Sequence, residues 1–227
     1  HDNRYYIKNG DTSKCNNYRT LSLVCHASKI VLEITGSRIK PCIEAYMATE
    51  QAGFRSGRET SEQIFSHRFL ADNYLGMQAG VLYHVFIDFK KAFDRVWHEG
   101  LWRVLHHYGF QPKLVNLMQN LYNNTKSAVI VGRSNTEWFK QTVGVRQGCV
   151  LSPDLFNIYL EHVMHEALEG MEYIGANING NIVNNLCFAD EIDLIARQLG
   201  DLQHLLNKIE EVSTSTILRL VKQKQNG

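Results

Sequence analysis

Val81-Leu82-Tyr83-His84-Val85-Phe86-Ile87-Asp88-Phe89 decides how this chain reads. β-branched and aromatic side chains dominate it, so the spacing predicts a buried strand that delivers a carboxylate, Asp88, at its end. An acid closing an apolar strand is costly unless it is solvated, paired or bound to a cation. A second stretch answers the first: Ile182 to Phe188 and Ile192 to Ala196 are short apolar runs separated by Ala189-Asp190-Glu191. That pattern predicts a β-hairpin with acids at its tip, and Asp193 beyond it is expected to face solvent. Converging strand ends would make a hard, oxygen-rich site suited to Mg²⁺. Spacing alone leaves open the commoner fate of such acids, which is solvation in loops and turns.

Outward from these strands, helical signals alternate irregularly with apolar runs, which favours α+β over a doubly wound sheet. Ala27, Ile30, Val31 and Ile34 fall at helical spacing, in a run expected to stop before Gly36 and Pro41. A second helix is expected after Thr60 with Ile64, Phe65 and Phe69 on its apolar face. Leu101, Val104, Leu105 and Tyr108 mark another, ending at Gly109. Ser152-Pro153-Asp154 reads as N-cap, first position and first-turn acid of a helix presenting Phe156, Tyr159, Leu160, Val163 and Ala167. Asp201 is expected to cap a last amphipathic helix carrying Leu202, Leu205, Leu206, Ile209 and Val212, after which the chain turns polar.

The 227 residues suffice for one large domain or two small ones. With 44% hydrophobic and 21% charged residues, the composition is that of an ordinary globular protein. No apolar run has the length of a membrane span, so no membrane partner is expected. The start, His1-Asp2-Asn3-Arg4, has neither an initiating Met nor an apolar leader, and the chain reads as part of something longer. Five cysteines without a C-x-x-C pair fit a reducing, intracellular setting. The net charge of +1 hides an asymmetry: residues 1–147 carry 19 Lys and Arg against 12 Asp and Glu, residues 148–227 carry 5 against 11. A basic front could meet phosphates and an acidic back cations, and both could equally be solvated surface. His162, His165 and Glu166 lack the i,i+4 histidine spacing of a zinc helix. Neighbouring His106 and His107 point to different faces.

The motifs around the acids are more specific. Phe86-Ile87-Asp88-Phe89-Lys90-Lys91-Ala92-Phe93-Asp94-Arg95-Val96 resembles the F-x-D-x-x-K-A-F-D-x-V signature of non-LTR (LINE-type) retrotransposon reverse transcriptases. Gly144 to Asn157 (GVRQGCVLSPDLFN) resembles their G-x-R-Q-G-C-x-L-S-P-x-L-F-N box, and Leu186-Cys187-Phe188-Ala189-Asp190-Glu191 their F-A-D-D turn. Asn17-Tyr18-Arg19-Thr20 with Ser22-Leu23 is similar to N-Y-R-P-I-S-L, and Gln51 to Arg58 (QAGFRSGR) to Q-x-G-F-R-x-G-R. Any one box is weak; five in order, over about residues 8–215, are specific.

The resemblance implies a right-hand polymerase of fingers and palm, with an antiparallel palm sheet packed on helices. Fingers are expected at about 1–80 and 95–142, palm at about 81–94 and 143–215, and a diverged tail at 216–227. It implies an RNA-directed DNA polymerase acting in cytoplasm and nucleus, with RNA template, DNA primer and dNTPs as partners; oligomeric state is left open. Asp88, Asp190 and Glu191 would be catalytic and hold two Mg²⁺ (or Mn²⁺) ions, the usual device for activating a 3′-hydroxyl and stabilising a leaving pyrophosphate. Phe93, with Phe89 nearby, matches the steric gate against a ribose 2′-hydroxyl; plain core packing is its alternative. Gln147 and Gly148 are placed for nucleotide or template, Arg19 and Arg55 for the triphosphate, Arg146 and Lys8 for nucleic-acid phosphates. Asp94 is expected to be structural, Cys149 buried, and Trp97 and Trp102 packing residues. Lys222 or Lys224 would stand in for a lysine that protonates pyrophosphate.

The sequence departs from the pattern in three places. Glu191 replaces the second Asp of the turn, and a displacement of about 1 Å at a catalytic centre can cost on the order of 100-fold in rate. Thr216 to Gly227 diverges from the family's G-L-x-I-N-x-x-K-T-K stretch. No thumb, endonuclease or Cys/His-rich tail is present in these residues, so grip on a duplex is expected to be weak and salt-dependent. An RNA-dependent RNA polymerase, which shares a palm with paired acids, is disfavoured by Phe93; an inactive remnant that only binds nucleic acid is favoured by Glu191.

Overall fold

The computed structural model describes residues 2–7, 11, 18–76, 80–123, 126–128, 130–131, 134–216 and 220–222. The expected mixed α+β fold with an antiparallel sheet is found, divided into two compact units, residues 1–46 with 93–156 and residues 47–92 with 157–227.

The first unit opens with an antiparallel hairpin, β1 (Asp2–Ile7) and β2 (Tyr18–Leu23), running to helix α1 (His26–Glu44). The helix does not stop before Gly36. It runs through it, and the glycine serves packing instead: a Cβ there would approach Leu151 Cδ2 to 3.1 Å. Pro41 lies inside the helix, in its last turn, where its missing N–H forgoes one i→i−4 hydrogen bond, to the Ser37 carbonyl. The buried stripe is Leu32, Thr35, Gly36, Ile39 and Ile43, while Ile30, Val31 and Ile34 are exposed. The expected apolar face was therefore offset from the buried one.

Further along come α3 (Ala92–Arg95), α4 (His98–His107) and α5 (Pro112–Asn123). The helix expected to end at Gly109 is α4, which closes at His107 with Tyr108 as its C-cap, two residues before Gly109 takes a positive φ of 74°. Short strand pairs follow: β4 (Lys126–Ser127) with β7 (Phe139–Lys140), and β5 (Ile130–Val131) with β6 (Ser134–Asn135). Helix α6 (Ser152–Leu168) begins where expected and buries Phe156, Tyr159, Leu160, Val163 and Ala167. Ser152 is its first helical residue rather than a bonded cap, and its buried Oγ has no hydrogen-bond partner among the described residues.

The second unit carries α2 (Thr60–Leu75), β3 (Tyr83–Phe89), most of α6, and two successive hairpins. These are β8 (Ala176–Ile178) with β9 (Asn181–Val183), and β10 (Asn185–Phe188) with β11 (Glu191–Ala196). The apolar run from Ile182 is thus split, its first residues belonging to an earlier hairpin. Helix α7 (Leu199–Ser215) starts two residues before Asp201, with Gln198 at the N-cap, and buries Leu202, Leu205 and Ile209. Asp201 instead occupies the first turn, where a carboxylate favours the helix dipole. The polar tail is not structureless throughout: β12 (Leu220–Lys222) pairs antiparallel with β3.

The sheet order is β10-β11-β3-β12, all antiparallel. Side chains alternate across a strand. Val85, Ile87 and Phe89 therefore share one face with Ile192, Leu194 and Ala196, over which α7 packs; His84, Phe86 and Asp88 share the other with Glu191, Asp193 and Ile195. Strand β3 is not wholly buried: Ile87 and Phe89 are, while Phe86 on the other face and Tyr83 at the strand's start are exposed. Helix α2 buries Leu70 and Tyr74 against Ala176 and Ile195. Its expected apolar face lies open, with Ile64 68% and Phe65 70% exposed.

Candidate active site

Antiparallel pairing of β3 with β11 sets Asp88 directly opposite Glu191, about 4.5–5.5 Å apart between Cα atoms in such a pair. Phe188 pairs with Glu191, so the turn of the β10–β11 hairpin is the two residues Ala189 and Asp190. Glu191 is the first residue of the ladder, not part of the tip. Asp88 and Asp190 are half-buried and Glu191 is exposed. Two of the three predicted acids thus face each other across a strand pair, and the third precedes Glu191 in the chain. Asp88 and Glu191 line a cleft of about 480 Å³ whose opposite wall is Thr60, Gln63, Ile64 and His67 of α2. These donors are carboxylate oxygens at the end of an open cleft, which fits Mg²⁺ or Mn²⁺ better than soft metals.

The turn is held from below. Ala189 takes φ +56°, a conformation that costs a non-glycine residue on the order of 1 kcal/mol. Gln51 compensates on both sides: its Nε2 donates to Ala189 O at 3.1 Å, and its Oε1 accepts from the N–H groups of Ala189 at 2.9 Å and Gly53 at 2.8 Å. Gly53 approaches so closely that a Cβ there would lie 2.1 Å from Ala189 N. Asn157 on α6 donates Nδ2 to Gly53 O at 2.7 Å. Cys187 N–H donates to Glu50 O and Ala52 N–H to Cys187 O, both at 2.9 Å. Burial pushes the Cys187 thiol well above its usual range. Gln51, Gly53 and Asn157 lie within the family-like boxes, but no individual role was expected of them. The one sequence signal was Asn157, an amide inside the apolar helical run Leu155 to Leu160.

In the first unit, two other boxes meet. Phe93 stacks on Phe156 with centroids 4.6 Å apart and planes 15° from parallel. Val145 N–H donates to Phe93 O at 2.7 Å and Gly144 N–H to Val96 O at 2.8 Å. Gly144 needs its φ of +90° and its missing Cβ, which would sit 3.0 Å from Asp94 O. Gln147 Nε2 donates to Asp94 Oδ1 at 2.9 Å, so Asp94 ties the box down. Gly148 also has positive φ, 89°. Arg146 differs from expectation. It is buried, donates to Leu121 O, and its guanidinium lies 4.7 Å from the Tyr122 ring centroid. A buried, engaged guanidinium positions the chain rather than meeting phosphate. Burial raises the Tyr122 hydroxyl to about 12.

Asp193 is the clearest correction. It is buried, not solvated, and His67 and His84 both hold its carboxylate. Arg55 spends its Nη1 on the carbonyls of Ala48 and Gln51. Cys149 is buried and Trp102 packs in the core, as expected, with Trp97 half-buried beneath Arg103. Phe89 is buried in the sheet. Arg19 and Lys222 fall in β2 and β12, and Lys8 and Lys224 lie outside the described residues.

Residues 7–226 match the family described as reverse transcriptase (RNA-dependent DNA polymerase). The chain belongs to that family. Its relatives are non-LTR retrotransposon proteins, as the five boxes suggested. It is 28% identical over 97% of its length to the transposon TX1 uncharacterized 149 kDa protein of Xenopus laevis, covering 17% of that protein. It is 31% identical over 67% of its length to the RNA-directed DNA polymerase from mobile element jockey of Drosophila melanogaster, again 17% of the relative. Among solved structures, apo telomerase from Candida tropicalis, truncated from its C-terminal domain, superposes with a TM-score of 0.63 at 14% identity. That match covers 86% of this chain and 41% of the telomerase. The chain therefore spans a small part of its curated relatives.

Proposed function

We propose that this chain is the catalytic core of an RNA-directed DNA polymerase that adds dNTPs to a primer 3′-hydroxyl on an RNA template. The observation that carries it is the register opposing Asp88 to Glu191, with Asp190 in a turn braced by Gln51 and Gly53. In this reading Asp88, Asp190 and Glu191 hold divalent ions, which supply Lewis-acid activation of the hydroxyl and charge neutralisation at the leaving pyrophosphate. The chain's own contribution is rigidity: the sheet fixes Asp88, and the brace fixes the backbone carrying Asp190. In this reading fingers-like residues at about 1–80 and 95–142 and palm-like residues at about 81–94 and 143–215 make up a right-hand polymerase, bounds that differ from those of the two compact units. Phe93, steadied by Phe156 and by its carbonyl bond to Val145, would act as the aromatic gate against a 2′-hydroxyl, and Gln147 and Gly148 would contact the nucleotide, as the family motifs imply.

Glu191 favours a second reading, a weakened or inactive retroelement remnant. Primer extension on an RNA template, with dNTPs or rNTPs, separates the readings. The expected result is Mg²⁺- or Mn²⁺-dependent dNTP incorporation that disappears in Asp88→Asn, rises in Glu191→Asp and loses sugar selectivity in Phe93→Ala. Preference for rNTPs by the parent chain would point to an RNA polymerase; no incorporation even in Glu191→Asp would leave the remnant.

A further inference from the structure

His67, His84 and Asp193 belong to none of the roles assigned above, yet three separate elements bring them together. His67 Nδ1, from α2, lies 2.8 Å from Asp193 Oδ2 on β11. His84 Nδ1, from β3, lies 3.1 Å from both carboxylate oxygens. One ligand atom from each residue falls within 4.8 Å of the other two, and the imidazole centroids are 4.6 Å apart. The Asp193 side chain is 8% exposed, and its ion-pair partners among the described residues are these two histidines. A carboxylate this far from water requires strong partners.

Two imidazole nitrogens and one carboxylate oxygen are the donor set of open transition-metal sites, in which three protein ligands leave a position for water. With metal–ligand distances of about 2.0–2.2 Å, ligand atoms around a tetrahedral zinc sit roughly 3.3 Å apart. The two nitrogen–oxygen separations would open by about half an ångström or less, and the two imidazole nitrogens, within 4.8 Å of each other, would draw in toward the same spacing. His67 and Asp193 also line the 480 Å³ cleft, which would give an ion an entry path and leave a fourth position open to solvent. The donors here include nitrogen, unlike the all-oxygen set of Asp88, Asp190 and Glu191, so the two places select different ions.

We propose that His67, His84 and Asp193 form a Zn²⁺ site that ties α2 to β3 and β11 along the acid-bearing face of the sheet. Asp193 and Phe86 are paired one alternation away from Glu191 and Asp88 on that face. An ion there would fix the helix wall of the cleft against the strands that carry the acids.

The test uses the whole chain, stripped with a chelator and titrated with Zn²⁺ by calorimetry and with Co²⁺ by visible absorption. One Zn²⁺ per chain is expected, displacing a Co²⁺ ligand-field band. The site should be lost in His84→Ala and Asp193→Asn. It should weaken at least tenfold in His67→Ala, whose partly exposed helix position preserves the fold by circular dichroism. Asp88→Asn should retain it. No stoichiometric binding by the folded parent, or binding by His67→Ala and His84→Ala as tight as the parent's, would overturn the proposal. Binding lost in Asp88→Asn yet kept in His67→Ala would also overturn it, by assigning the ion to the acid pair.

Discussion

Two hairpins follow one another in the second unit, and each turns in two residues. Between β8 and β9 the turn is Asn179-Gly180, with φ of 52° and 92°. Asn and Gly adopt that conformation readily, and Asn177 Oδ1 accepts the Gly180 N–H locally at 2.9 Å. No neighbour lies within 4 Å of a Cβ placed on Gly180. Between β10 and β11 the turn is Ala189-Asp190, and Ala189 bears the positive φ without a residue type that favours it. Distant residues impose its shape: Gln51 bonds it on both sides, Gly53 packs beneath it, and Asn157 fixes Gly53. The first hairpin is specified by its own sequence and the second by its surroundings. Strain held in place by long-range packing is what a turn that must present a carboxylate at a fixed position requires.

Substitutions can break this contrast. Gly53→Ala should have the largest effect, because the new methyl cannot coexist with Ala189 N at 2.1 Å. A loss of about 3 kcal/mol or more is expected in denaturant unfolding, along with exposure of the buried Cys187 thiol to alkylation. Cys187 that stays as protected as in the parent would mean the brace is dispensable. Gln51→Ala removes the acceptor of two buried N–H groups and should cost about 2 kcal/mol by the same measurement. Gly180→Ala should cost only about 1 kcal/mol, from backbone strain alone, and leave Cys187 protected. Ala189→Gly should change stability least, since relief of the positive φ and the extra freedom of glycine oppose each other. A large loss there would show that the Ala189 methyl packs more than its backbone strains.

The same contrast explains what was legible in the sequence. Elements governed by local chemistry were placed, if not in every detail: the helix start at Ser152-Pro153, although Ser152 Oγ caps nothing among the described residues, the Gly109 stop, and the strand and turn bearing Asp88 and Asp190. Elements governed by tertiary partners were not. Gly36 looked like a terminator, but its role is to admit Leu151 against a continuing helix. Ile64 and Phe65 were expected to be core on apolarity alone, whereas α2 is held by Leu70 and Tyr74 and leaves them open. Asp193 was expected to be solvated because it follows a turn. The β3–β11 register and two histidines from distant segments bury it instead. Arg146 looked like a phosphate ligand because the sequence cannot show the Tyr122 ring and Leu121 carbonyl that occupy it.

The direct test of the account is dNTP incorporation on an RNA template by Asp190→Asn and Gly180→Ala, measured beside the parent at equal folded concentration. One hairpin is held to serve chemistry and the other architecture. Asp190→Asn should therefore abolish Mg²⁺-dependent extension without changing unfolding by more than about 1 kcal/mol, and Gly180→Ala should retain most of the parent's rate. Extension surviving in Asp190→Asn, or lost equally in both variants, would contradict it.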